Sequence, residues 1–163
     1  MPTGQFQTFN HSNYSVSYPS NWQVFGDANS EVTIAPKSGL AGDAIAYGAI
    51  ISGFDPESRG GSNSLDDATH QLLDQLRQSN PDLRAVGSDQ NITVNGRNGK
   101  SVMLMGPSPL KDQSNKAERE RDWLVATQRQ DGSVIYFVFI APDQDFAKLQ
   151  PSFEKMLRSL KTQ

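Results

Sequence analysis

A segment that is apolar on both faces of an extended strand limits what this chain can fold into. It reads SVIYFVFIA and runs from Ser133 to Ala141. Successive side chains of a strand point to opposite faces, so both faces are apolar from Val134 to Ile140. Such a strand has to be covered on both sides, and it is far shorter than the ~20 residues that cross a bilayer. We therefore expect a sheet with helices above and below it.

Two segments have the spacing of amphipathic helices that supply this cover. The first is predicted to begin after Ser64, which is suited to an N-cap with Asp67 three residues on, and to end near Ser79 before Asn80 and Pro81. The second is predicted over 145–160, with an apolar stripe that keeps its phase across Pro151. A proline inside a helix predicts a bent helix or two nearly collinear pieces. The residues of the second stripe are Phe146, Leu149, Phe153, Met156, Leu157 and Leu160.

Most other segments alternate like strands joined by hairpins, with turn signals such as Asn-Gly between them. We predict strands near 6–9, 14–18, 22–25, 31–35, 44–54, 92–105, 118–130 and 133–141. Residues 55–64 and 106–117 have the composition of loops. The predicted fold class is α+β: a three-layer α/β/α sandwich around a mostly antiparallel sheet of six or more strands. The lack of regular β-α-β-α alternation excludes a doubly wound dinucleotide fold.

The stretch YSVSYPSNWQVF, from Tyr14 to Phe25, interrupts two alternating runs with a proline and a tryptophan. Pro19 fixes φ and cannot donate to a ladder, so it ends one strand. Trp22 then starts the next extended stretch with a large apolar ring. We interpret this corner as structural, with Trp22 packed against the core.

Bulk composition restricts the functions that remain. With 163 residues the chain is expected to be one domain, 1–163, and it has no cysteine, which removes disulfides and thiol chemistry. The net charge is −3 with basic residues scattered among acidic ones, so nucleic acid is not an expected partner. The N-terminal MPTGQFQTF lacks the features of a signal peptide, and no direct membrane insertion is expected. The abrupt start of the pattern indicates a domain taken from a longer protein.

Several structural corners together resemble the PsbP-like domains. They are YSVSYPSNWQVF, the APKSG turn, one central amphipathic helix, DGSVIYFVFIAP and the closing FEKMLRSL. That superfamily includes the extrinsic photosystem II protein and a Ran-binding nuclear import factor. The resemblance covers nearly the whole chain and implies an α/β/α sandwich around an antiparallel sheet. Because these motifs are structural, they specify fold rather than function.

A narrower resemblance concerns the segments DDATHQLLDQLRQSNPDLR and ERERDWLVATQRQDGSV. With the corners above, they resemble domains attached after BepA-like zinc metallopeptidases in bacteria, whose catalytic helix carries His-Glu-x-x-His. This chain departs from that motif, since His11 is followed by SNYS and His70 by QLLD. The resemblance therefore implies an accessory domain whose peptidase lies upstream, and an envelope or periplasmic location.

Motifs that imitate active sites lack the residues their chemistry requires. GKS at 99–101 has Val94 where a P-loop needs its first glycine, and GPSPL at 106–110 lacks the final glycine of a nucleophile elbow. DPESRGGSNSLD at 55–66 resembles a calcium loop, but Arg59 is a cation where an oxygen ligand is needed. His11 and His70 are isolated and interpreted as surface residues. No catalytic, cofactor or metal residue is assigned; spatial pairing of carboxylates is left open.

The charged run ERERD, from Glu118 to Asp122, allows two interpretations. On a strand, Glu118, Glu120 and Asp122 face one way, and Arg119 and Arg121 the other. One interpretation is an edge strand guarded by charges, or cross-strand ion pairs. The other is an interaction surface in which the two arginines lead towards Trp123, because Arg and Trp are enriched at interface hot spots. Arg59 extends that surface only if the fold brings it near.

These observations favour a non-catalytic accessory domain that binds protein, with no cofactor. The resemblance implies that its partner is its own upstream zinc-dependent peptidase domain or that peptidase's substrates. The alternative is a small-molecule or metal-binding module that uses a cleft beside the loops at 55–64 or 106–117. An independent hydrolase is the third hypothesis, and it has the least support from the residues.

Overall fold

A computed structural model describes residues 1–27, 29–42, 44–54 and 65–162, apart from the side chain of Phe54. Two helices are present in this part of the chain, α1 (Leu65–Ser79) and α2 (Asp143–Arg158), with a short 3-10 turn at Lys37–Gly39. The first strands are β1 (Phe6–Asn10), β2 (Tyr14–Pro19), β3 (Gln23–Phe25), β4 (Val32–Ala35), β5 (Leu40–Ala41), β6 (Ala44–Ile45) and β7 (Gly48–Phe54). The later strands are β8 (Arg84–Ala85), β9 (Gln90–Val94), β10 (Arg97–Lys111), β11 (Ala117–Gln128), β12 (Val134–Pro142) and β13 (Lys161–Thr162).

An eight-stranded antiparallel sheet forms the middle layer. Its order is β3-β4-β7-β12-β11-β10-β8, and β9 pairs with the first part of β10. β1, β2 and β13 form a separate three-stranded sheet, and β5 and β6 form a short hairpin. The predicted antiparallel sheet of six or more strands is confirmed.

The doubly apolar strand lies where its composition requires, in the interior of the sheet. On one face of β12, Phe137 and Phe139 pack against Phe153 of α2 and the small sheet. On the other face, Val134, Val138 and Ile140 pack with Ala68 and Leu72 of α1 and others. The two helices therefore cover opposite faces of the sheet, which confirms the predicted three-layer architecture.

The proline–tryptophan corner has the structural role predicted for it. β2 ends at Pro19, which lies opposite Phe6 of β1. Trp22 is 2% exposed, and its ring meets those of Tyr47 and Phe153 edge-on, at centroid distances of 6.4 and 6.3 Å. Because these rings belong to the core between α2 and the sheet, Trp22 fixes the crossing from the small sheet to the large one.

One predicted boundary was wrong, and for the second helix the alternative of two separate pieces is excluded. Residues 106–111 continue β10 instead of starting a loop, and the register with β11 shifts between Pro107 and Lys111. A bulge at this point accommodates prolines, which cannot donate to a ladder. α2 is one helix from Asp143 to Arg158, and Pro151 lies exposed within it. The predicted Ser64 cap lies outside the described residues.

No helix among the described residues is long and apolar enough to cross a membrane.

Candidate functional site

The ERERD run lies on β11, which is an interior strand with β10 on one side and β12 on the other. The interpretation of this run as a guarded edge strand is therefore wrong. The charges led to the wrong interpretation because an exposed edge strand and the end of an interior strand tolerate the same residue types. Which of the two forms depends on the strands that pair with the segment in the folded protein. The alternation itself is as predicted, since Glu120 and Asp122 lie on the face opposite Arg119 and Arg121.

The first face of β11 brings together Arg119, Arg121 and Trp123, and we call these three residues the β11 surface. In the register with β10 they lie opposite Pro107, Met105 and Met103 respectively. Arg119 is exposed, whereas Arg121 and Trp123 are half-buried. Arg59, the fourth residue of the predicted surface, lies outside the described residues.

Arg121 is held in place by the start of α2. Its Nε donates to Oδ1 of Asp143 at 2.5 Å, and the two side chains are 40% and 39% exposed. Half-exposed ion pairs contribute at most about 1 kcal/mol to stability. The consequence of this pair is therefore mainly geometric, because it fixes where one guanidinium of the β11 surface lies.

Trp123 connects the β11 surface to the core. Its ring centroid lies 5.2 Å from that of Phe139, which in turn stacks on Phe137 and Phe153. Aromatic pairs at this distance contribute about 0.5–1.5 kcal/mol beyond burial of their area. Trp123 therefore presents a partly exposed ring on a fixed base, which limits the entropy that a binding partner would have to remove.

The second face of β11 carries a pair of buried carboxyl groups, and we call Glu120 and Asp122 the acid pair. They are 8% and 7% exposed. Asp122 lies between Leu104 of β10 and Ile140 of β12, and Glu120 lies between Gly106 and Pro142. The same face continues into Leu124 and Ala126, which belong to the apolar core beneath α1.

Burial of two adjacent carboxyl groups penalises two charges and favours a bound proton on the acid pair. Burial raises the pKa of both groups, and the neighbouring Asp122 charge raises the pKa of Glu120 further. Glu120 is raised more, so Glu120 is the donor in the hydrogen bond between them, and that bond favours the charged form of Asp122. Among the described residues, Glu120 Oε2 and Asp122 Oδ1 have no hydrogen-bond partner.

The acid pair was missed by sequence reasoning, although part of the signal was available. Glu120 and Asp122 share the parity of Leu124 and Ala126, which predicts that they face the same side. Their burial depends on distant residues, such as Leu83 after α1 and Ile140 of β12, which the local pattern does not include.

The histidines lie apart from the acid pair. His70 is exposed on α1, as predicted. His11 is half-buried rather than a plain surface residue: its ring stacks on Tyr14 at 4.4 Å, and Nε2 lies 3.0 Å from the carbonyl oxygen of Ser30. In the described part of the chain, no group of three or more His, Cys, Asp or Glu residues is arranged to hold a metal ion.

Two clefts are relevant to the small-molecule hypothesis, one beside the segment 112–119 and one at residues that follow 55–64 in the sequence. One, of about 390 Å³, is lined by Asp112, Ala117, Glu118, Arg119, Asp143 and Gln144. The other, of about 420 Å³, lies at the start of α1, where Asp66 pairs with Lys100 Nζ at 2.7 Å. The first cleft shares Arg119 with the β11 surface, so a side chain entering it would contact both.

No protein-family model matches the chain, and no curated protein matches it. Its likeness to known proteins is one of structure. It superposes on cyanobacterial PsbP from Synechocystis with a TM-score of 0.66 at 12% identity, covering 100% of this chain and 95% of that one.

Two further solved structures share this architecture. The Ran-binding protein Mog1p of Saccharomyces cerevisiae has a TM-score of 0.63 at 8% identity, covering 98% of this chain and 96% of its own. LpqN of Mycobacterium tuberculosis, described as involved in cell envelope biogenesis, has a TM-score of 0.57 at 12% identity, covering 98% and 91%. Identities this low show the fold alone, and the fold of this chain is PsbP-like.

Proposed function

We propose that this chain is a non-catalytic protein-interaction domain that binds its partner through the β11 surface. The observation that carries the proposal is the placement of Trp123, whose partly exposed ring rests on the aromatic core and is aligned on one strand face with two arginines. Arg and Trp are the residue types that most often dominate binding energy at protein interfaces. Because the Trp123 ring rests on a fixed base and Arg121 has a fixed position, the β11 surface loses little conformational entropy when it binds a partner.

The proposal also specifies the kind of protein that is bound. The segments that resemble domains of BepA-like metallopeptidases support an upstream zinc peptidase domain, or a substrate of that peptidase, as the protein bound. One structural neighbour agrees with a binding role in general terms, since Mog1p is described as Ran-binding. The reading frame that encodes this domain tests the link directly, because a His-Glu-x-x-His segment upstream supports it and its absence removes it.

Affinity capture from cells of the source organism tests the β11 surface itself. We expect the double variant R119A/R121A to retain its partner about 30-fold less than the wild type, because each arginine of a hot spot contributes at least about 1 kcal/mol and about 1.4 kcal/mol is tenfold in affinity. The matched control is R77A/R158A, which removes two exposed arginines from the helices and changes the net charge equally. Quantitative mass spectrometry of the bound proteins compares the three baits.

Equal capture of the same proteins by all three baits would contradict the assignment of the β11 surface. The small-molecule alternative has its own signature. A saturable rise in melting temperature with a divalent cation or a metabolite would show that a cleft binds a ligand, and would defeat a role limited to protein interaction.

A further inference from the structure

The β11 surface and the acid pair occupy the same five residues of one strand. Arg119, Arg121 and Trp123 face the α2 side, and Glu120 and Asp122 between them face the α1 side. Neighbours on a strand share backbone, so a displacement of the acid pair also displaces the residues of the surface. The inference below rests on the proposed function, because it concerns how that surface is regulated.

Apolar residues flank the acid pair on both neighbouring strands. Leu104 and Gly106 flank it from β10, and Ile140 and Pro142 from β12. Gly106 lies so close to Leu83 that an added Cβ would come within 2.9 Å of its Cδ1. A charge on this face therefore lies beside apolar side chains, with only 8% of Glu120 and 7% of Asp122 exposed to water.

Among the residues that the structure describes, the ion pairs of Lys100, Arg121 and Arg129 are made with carboxylates other than those of the acid pair. On the same face, Lys100 of β10 forms an ion pair with Asp66. Lys100 and Tyr136 of β12 are the register partners of Ala126, which is four residues from Asp122 along β11. Glu118, on β11 itself, is half-buried and also acidic. Asp89, in the connection after α1, is half-buried and acidic, and the other charged or titratable residues of α1 and this connection are exposed: Asp66, Asp67, His70, Asp74, Arg77, Asp82 and Arg84.

The stability of the acid pair in this position depends on one proton. With it, the pair carries a single negative charge and an internal hydrogen bond. Without it, two carboxylates on same-face positions, with Cα atoms about 6.6 Å apart, repel each other where water does not screen them. Outward movement of the first half of β11 would relieve this repulsion by bringing the two carboxylates into contact with water.

We propose that the proton shared by Glu120 and Asp122 regulates the β11 surface: the surface keeps its described conformation while the pair holds the proton, and loosens when the proton is lost. Partner binding is then strongest when the pair is protonated and weakens as the pH rises. The two faces of one strand thus act as a sensor and a binding surface, with the backbone between them as the only coupling needed.

Fluorine NMR on protein labelled with 5-fluorotryptophan tests this without any partner, so a failed proposal of protein binding is distinguishable from a failed switch. The chain has two tryptophans. Trp123 follows the acid pair directly, whereas Trp22 lies in the core beside Phe153 and serves as an internal control. As the pH rises from about 5 to about 10, we expect the Trp123 resonance to shift or broaden while the Trp22 resonance stays fixed.

Two variants make the titration decisive. E120Q keeps the shape of the side chain and removes the group whose pKa is raised to about 9, so its Trp123 resonance is expected to stay constant above about pH 7, where Asp122 is already ionised. E118Q removes a half-buried carboxylate of the same strand and is expected to behave like the wild type. An unchanged Trp123 resonance in the wild type, an unchanged pH response in E120Q, or a simultaneous shift of Trp22 with loss of circular dichroism would each overturn the proposal.

Discussion

Replacing Glu120 by glutamine is expected to raise the free energy of unfolding at pH 8 by about 2–4 kcal/mol, since each unit of pKa displacement corresponds to about 1.4 kcal/mol. Burial and the charge of Asp122 raise the pKa of Glu120 to about 9, from 4.5 in the unfolded chain. Between these two values the folded state binds a proton that the unfolded state has released. Glutamine is neutral in both states and retains an N–H donor for Asp122.

The sign of the pH dependence follows from the same values. A carboxyl group whose pKa is raised by folding contributes its full stability below about pH 4.5 and loses it progressively until about pH 9. Asp122, whose pKa burial raises to about 6, adds to the loss at the acidic end of that window. The wild type is therefore expected to lose stability as the pH rises, with a slope that E120Q largely removes.

Urea denaturation from pH 5 to about pH 9 measures both effects. The control is E118Q, for which a change within about 0.5 kcal/mol is expected because the side chain is only half-buried. If E120Q were less stable than the wild type at pH 8, with the same slope against pH, the acid pair would be ionised in the folded protein and the account of this face would be wrong.

The second large effect is expected at Phe139, which joins the β11 surface to the core. Its side chain is 0% exposed, and its ring centroid lies about 5 Å from those of three aromatic neighbours, Trp123, Phe137 and Phe153. Truncation to alanine leaves a cavity among rigid rings that cannot collapse into it. We expect Phe139→Ala to lower the free energy of unfolding by about 3–5 kcal/mol.

Phe25→Ala is the matched control, because Phe25 lies on edge strand β3 and is 36% exposed. A change within about 0.5 kcal/mol is expected there. Thermal or urea unfolding of the two variants beside the wild type gives the comparison. A loss below about 1 kcal/mol in Phe139→Ala would mean that the aromatic stack is not the base on which Trp123 rests.

Much of the architecture was predictable because local patterns and tertiary structure agree. The two-sided apolar segment at Val134 to Ile140 required cover on both faces, and the apolar stripes of α1 and α2 provided it. Pro19 and Trp22 marked a corner that depends on their own covalent geometry and size. These features are set by periodicity and by single residues, which a sequence displays directly.

Other features depended on contacts that no local window contains. Pro107 and Pro109 indicated a loop, yet a register shift lets β10 continue through them to Lys111. The charges from Glu118 to Asp122 indicated an edge, yet β10 and β12 enclose the strand. The acid pair is buried by residues far along the chain, so its proton could not be inferred from the run of charges.

The residues of the candidate site were predicted from the sequence, but the residues that hold them in place were not. Arg119, Arg121 and Trp123 were named from the sequence, and the structure places them on one face. Arg121 is held by Asp143 of α2, and Trp123 packs on Phe139 of β12. The peptidase partner and the contribution of Arg59 stay predictions.

Carbon-13 NMR of the side-chain carboxyl groups tests the central claim most directly, because it reports the protonation of Glu120 and Asp122 one residue at a time. The Glu120 carboxyl carbon is expected to keep the chemical shift of a protonated acid at pH 7, whereas an ordinary glutamate has the shift of a carboxylate at this pH. A Glu120 carboxyl that loses its proton near pH 4.5, as an ordinary glutamate does, would contradict it.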